Sequence, residues 1–159
     1  MRCWVWPWIP SCDGWPVSER TSWIHVRAAG MDLLLSPLDL REVVAAGPVS
    51  PLPGRPPGIQ GVIVYQGEFL PVLAWEGLPG CEASNLPTVA MVVLRPRLGI
   101  PIERMIGTLD LPEEGWLEPD VADAANSWLG GIWVEGDRRY LMLDSDRLMA
   151  LLQRFRTER

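Results

Sequence analysis

Residues 51–75 read PLPGRPPGIQGVIVYQGEFLPVLAW, and this stretch decides the architecture. Pro51, Pro53, Pro56 and Pro57, with Gly54 and Gly58, make a connection that cannot join a sheet, because proline has no N–H to offer a ladder. Val62–Tyr65 and Phe69–Leu73 then form two short β runs on either side of Gln66-Gly67. Glycine at that point supplies the positive φ that a tight hairpin requires. Pro71, inside the second run, marks it as an edge strand or a bulge.

The same reading extends upstream. Over Ser22–Ala29, Ile24, Val26 and Ala28 alternate with Trp23, His25 and Arg27, the period of a half-buried strand with His25 on its polar face. A turn at Gly30–Asp32 leads to a second strand, Leu33–Leu35. Ser36 as N-cap and Pro37 at the first helical position predict a short helical turn, stopped by Gly47 and Pro48.

Downstream, Val89–Leu94, Gly99–Ile102 and Met105–Leu109 are further short strands. The acidic stretch Leu111–Asp123 reads as a loop, and Leu129–Val134 with Arg139–Leu143 as a hairpin turning at Gly136-Asp137. A closing helix starts near Ser145, with Leu148, Leu151, Leu152 and Phe155 at i, i+3, i+4 and i+7. Asp144, Ser145 and Asp146 offer caps at its start, and Arg154, Arg156 and Arg159 suit the negative end of its dipole. Many short strands, closely spaced turns and little helix predict small β-barrels or a sandwich.

Composition narrows the function. The 159 residues suit one domain, or two small subdomains sharing a core. Apolar residues at 48% and charged residues at 21% belong to a folded chain. The net charge of −6 lowers the prospect of nucleic-acid binding, which needs a positive surface to displace counterions. No apolar run reaches the roughly 20 residues that span a bilayer, and no signal peptide is evident, so a cytosolic protein without membrane insertion is expected. Cys3, Cys12 and Cys81 are odd in number and widely spaced, which argues against a disulfide framework. All 14 basic residues are arginine, which removes a P-loop lysine, a Schiff-base lysine and the lysine of a receiver domain.

Residues 1–21 carry Trp4, Trp6, Trp8 and Trp15 without a clear period. They read as a poorly ordered extension, as an upstream start with Val17 the true one, or as an aromatic docking tail. Residues 22–159 form the folded domain.

Little catalytic chemistry is legible. His25 is the only histidine, and it lacks an adjacent nucleophile and orienting acid. Asp144-Ser145-Asp146 resembles a metal-binding D-x-D but reads as a helix cap. Glu113-Glu114 and Asp120 with Asp123 read as a solvated acidic loop rather than a glycosidase pair. Neither a cofactor nor a metal is expected, and the pattern favours a protein that acts through its surface.

Four blocks, in order, resemble the CheW family of chemotaxis coupling proteins. His25–Val44, HVRAAGMDLLLSPLDLREVV, is similar to the family's strand, turn, strand and V-x-E-V segment, with Leu40-Arg41-Glu42-Val43 in the last place. The opening stretch resembles its proline-rich lead-in, G-V-I-N-L-R-G hairpin and L-P-V strand; Gly61, Val62, Ile63, Gly67, Pro71 and Val72 match. Leu98–Thr108 resembles G-L-x-V-D-x-V-x-G, with Glu103 at the aspartate. Leu129–Leu152 resembles the closing hairpin, L-L-D-x-D-x-L-L and final helix.

The resemblance implies a mainly β fold of two SH3-like five-stranded barrels around a shared core. It implies a non-catalytic adaptor that couples a CheA-type histidine kinase, through its regulatory domain, to chemoreceptor tips. Other CheW-like domains are further possible partners, and the output would be chemotaxis or type IV pilus motility. Glu42, Val43, Tyr65, Gln66 and Gly67 would then lie near the partner groove. The family usually has arginine before the hairpin glycine; here that residue is Gln66, a neutral amide in place of a charged fork. The alternative reading is a small β-barrel that binds a ligand or nucleic acid on exposed tryptophans. An enzyme using His25 or the acidic pairs comes third.

Overall fold

The computed structural model describes residues 20–120 and 122–158. The reading of residues 1–19 as tail or extension lies outside these residues, although Arg20 and Thr21 already belong to the first strand.

Among the described residues, ten strands form two five-stranded sheets. The strands are β1 (Arg20–Ala28), β2 (Met31–Leu35), β3 (Leu40–Ala45), β4 (Ile59–Tyr65), β5 (Glu68–Leu73), β6 (Ala90–Leu94), β7 (Leu98–Ile102), β8 (Arg104–Pro112), β9 (Leu129–Glu135) and β10 (Arg138–Leu143). The first sheet has the order β8-β1-β2-β10-β9 and the second β3-β6-β7-β5-β4. Both follow one plan: a single strand, a hairpin, a parallel junction and a second hairpin.

Each sheet is closed by the chain that follows its single strand. After β8, Leu117 exchanges two backbone hydrogen bonds of 2.9 Å with Ile132 of β9. After β3, Ser50 donates to the Val62 carbonyl at 2.9 Å, and Val62 donates back to Ser50 at 2.8 Å. The two sheets are therefore small barrels, as expected. Gly61 permits the second closure: a Cβ there would sit 2.2 Å from the Ser50 carbonyl oxygen.

The shared core takes residues from both barrels. Val26, Leu33 and Leu35 of the first meet Leu73, Val92 and Ile100 of the second. Trp75 and Trp128 join them, and the Trp75 indole donates to the Pro101 carbonyl at 2.8 Å. The opposite face of the first sheet has its own smaller core of Leu34, Leu111 and Tyr140, flanked by Trp23, Trp116 and Trp133.

The helix α1 (Ser145–Thr157) forms as its stripe predicts. Leu148 and Leu151 are buried in the shared core, with Leu152 and Phe155 packed against it. The Asp144 carboxylate accepts from the Arg147 N–H at 3.0 Å, so this aspartate serves as the N-cap. The proline-rich lead-in lies beneath the helix; a Cβ on Gly58 would meet Leu152 at 2.6 Å.

Three expectations are corrected. The short helix after Ser36 is absent: one turn, closed by the Asp39 N–H on the Ser36 carbonyl at 3.0 Å, leads directly into β3. Val43 and Val44 there pair with Val92 and Met91, and this tertiary pairing of β-branched residues overrides the local start signal. The edge-strand alternative for Pro71 fails, because β5 lies between β4 and β7, but the bulge alternative has a counterpart: the β4–β5 ladder carries a bulge at Gln60, opposite Val72–Leu73 and next to the Val62–Pro71 pair. His25 is not on a polar surface. It is buried, because β1 has a core on each face.

Candidate functional site

The β4–β5 hairpin turns at Gln66 and Gly67, with φ of 50° and 78°. Both residues in the left-handed region make the tight turn whose twist matches the strands. Its tip meets β3, which carries a bulge. Leu40 pairs with Leu94 and Glu42 with Val93, so Arg41 is the extra residue. In a regular strand successive side chains point to opposite faces, whereas a bulge can aim two neighbours the same way. Arg41 and Glu42 both reach the hairpin tip.

The contacts there form a chain. The Tyr65 hydroxyl donates to Glu42 Oε2 at 2.5 Å. Gln66 Nε2 donates to the Tyr65 oxygen at 3.1 Å, and Arg41 Nη2 donates to Gln66 Oε1 at 3.0 Å. The Arg41 guanidinium also lies over the Tyr65 ring, 5.7 Å from its centre. The hydrogen bond to Glu42 raises the Tyr65 pKa above the usual phenol value, with desolvation and the Glu42 charge adding to it and the Arg41 charge opposing.

Behind this tip lies a groove. Between the Glu42–Tyr65 contact and the Ser50–Val62 closure, one side of the opening runs through residues 43–49 and the other through residues 63 and 64 only. The groove has a volume of about 510 Å³ and is lined by Val44, Ala45, Pro48, Val62, Val64 and Phe69, among others. Val64 and Phe69 are cross-strand partners, yet they are 72% and 75% exposed. An exposed apolar pair beside an apolar groove makes this face a candidate interaction surface.

Of the residues singled out in the sequence, Glu42, Tyr65 and Gln66 come together directly. Gly67 shapes the turn, and a Cβ on it would touch nothing within 4 Å. Val43 is 39% exposed at the bulged strand rather than a core residue. Sequence reading missed Arg41, because strict alternation sends it away from Glu42. Phe69 carries no sequence signal beyond its place in a β run.

The other candidates for chemistry are structural. His25 Nε2 lies 3.0 Å from Asp32 Oδ1, Arg27 Nη1 donates to Asp32 Oδ2 at 3.2 Å, and the imidazole is edge-on to the Tyr140 ring. This network fastens β1 to β2 and includes no nucleophile. Asp120 and Asp123 accept from the backbone N–H groups of Ala122 and Ala125, shaping the loop they belong to. The tryptophan-platform alternative loses its basis among the described residues: Trp75 and Trp128 are buried, and Trp23, Trp116 and Trp133 are half-buried in ring-to-ring contact.

Two closed barrels share a core, and an apolar groove lies beside the held polar tip of the second. The CheW-like domain family matches residues 22–153, and the chain belongs to that family. Among solved structures, the scaffolding protein TtCheW from Thermoanaerobacter tengcongensis has the same fold. Its TM-score is 0.70 at 16% identity, over 79% of this chain and 85% of that one. Curated proteins yield no match. No helix among the described residues is long and apolar enough to cross a membrane.

Proposed function

We propose that this chain is a non-catalytic adaptor of a bacterial chemosensory array, coupling a CheA-type histidine kinase to chemoreceptor tips. It would work in the cytoplasm at membrane-associated receptor arrays, controlling chemotaxis or type IV pilus motility. Membership of the CheW-like domain family supports the adaptor role. The observation that carries the choice of surface is the exposed Val64–Phe69 pair beside the groove, with Glu42, Tyr65 and Gln66 held at its rim. Val43, next to Glu42 on β3, and Gly67, at the hairpin turn, complete the proposed partner-binding set. A polar rim around an apolar centre is the usual anatomy of a protein interface.

The experiment is calorimetric titration of the chain with the regulatory domain of the CheA-type kinase from the same organism, and separately with a receptor signalling tip. Saturable binding at micromolar concentrations is expected for at least one of them, weakened at least tenfold by Phe69→Asp. Absence of binding to both at tens of micromolar overturns the reading.

A further inference from the structure

We infer that Arg41 is the charged anchor of this face, and that the groove accepts a partner segment presenting apolar side chains next to a carboxylate. The inference rests on the adaptor reading and specifies its partner's chemistry.

The bulge at Arg41 turns its guanidinium to the hairpin tip, where its contacts are neutral: the Gln66 amide oxygen and the Tyr65 ring. No ion pair joins Arg41 to a carboxylate among the described residues. Asp39, two residues before Arg41, makes no ion pair with it, and the acids that flank the tip contacts are engaged elsewhere. Glu42 receives the Tyr65 hydroxyl, and Glu68, at the start of β5, is paired with Arg97.

A guanidinium has five N–H donors in a fixed fork, and one hydrogen bond to Gln66 leaves the rest open. That fork matches a carboxylate with two parallel hydrogen bonds. The aromatic face beneath it and the amide beside it restrict its rotamers before any partner arrives, which lowers the ordering cost of binding. The exposed Val64–Phe69 pair belongs to the same hairpin, so one segment can meet both features. Gln66 and Tyr65 are positioning residues in this arrangement; the contact charge is on Arg41.

The test compares wild type, Arg41→Gln, Arg41→Lys and Gln66→Ala in binding to the kinase regulatory domain and to the receptor tip across a salt series. Thermal melts check that each variant folds; the three substitutions are at exposed positions. Arg41→Gln is expected to weaken binding by about ten- to hundredfold, the range for a charge-assisted hydrogen bond, and to flatten the salt dependence. Arg41→Lys restores part of the affinity, because a point charge lacks the fork. Gln66→Ala weakens binding but keeps the wild-type salt slope, because the charge remains. Wild-type affinity and salt slope in Arg41→Gln overturn the inference and leave the adaptor reading standing. Failure of the wild type to bind either partner overturns both.

Discussion

Gly61 is the position where a single methyl group should do the most damage to the second barrel. A Cβ there would lie 2.2 Å from the Ser50 carbonyl oxygen, 2.9 Å from its carbon and 2.8 Å from Val49 Cγ1. Two of these three neighbours are backbone, so relief requires moving the segment that closes the barrel. That segment is held by the paired Ser50–Val62 hydrogen bonds. Two net hydrogen bonds at about 1 kcal/mol each, with about 1–3 kcal/mol for overpacking, give a loss of roughly 3–5 kcal/mol for Gly61→Ala. Gly47→Ala is the control: its Cβ would meet nothing within 4 Å and its φ is not positive, so a change within about 0.5 kcal/mol is expected. Urea unfolding of both variants and wild type measures the difference. A Gly61→Ala midpoint equal to that of Gly47→Ala would refute the claim that this closure is a tight backbone approach.

Further outcomes follow from other parts of the molecule. Leu148, fully buried where α1 meets the shared core, should cost about 2–5 kcal/mol in urea unfolding when replaced by alanine. Tyr65 should titrate above the usual phenol value in ultraviolet absorbance, and Glu42→Gln should lower its pKa, because the carboxylate hydrogen bond is the largest cause of the shift. The sign for stability follows: a pKa raised on folding adds stability that is full below the unfolded phenol value and is lost as pH rises through the folded one. Burial pushes the Cys81 thiol up to about 11, so in a chain with Cys3→Ser and Cys12→Ser, alkylation at pH 8 should be about a hundredfold slower folded than unfolded.

The parts of the fold legible in the sequence were those where local chemistry and tertiary demand agree. Gly67 marks the turn because glycine takes positive φ readily; Gln66 beside it also takes a positive φ, which its side chain alone does not announce. The α1 stripe was legible because its leucines are buried on one side only. The segment after Ser36 was misread because its signals are those of a helix start. Ser36 does accept the Leu38 N–H at 3.3 Å, but only a turn follows before β6 recruits the chain as β3. His25 was misplaced because alternation reports one buried face, and β1 in a two-barrel fold has two. The site shows the same limit. Glu42, Tyr65 and Gln66 came from motif resemblance, whereas Arg41 depends on a bulge, and a bulge has no fixed sequence signature.

The family's usual arginine before the hairpin glycine is Gln66 here, yet a guanidinium is still present at the tip. It arrives from β3 as Arg41 and is held by the very glutamine that replaces the arginine.

The most direct test of the central claim is amide chemical-shift mapping of the isotope-labelled chain on addition of the unlabelled kinase regulatory domain or receptor tip. The account predicts that the largest perturbations with one of these partners fall on Arg41–Ala45 of β3 and Val62–Phe69 of the hairpin. Perturbations confined to α1 and the β9–β10 hairpin, with residues 41–45 and 62–69 unmoved by either partner, would contradict it.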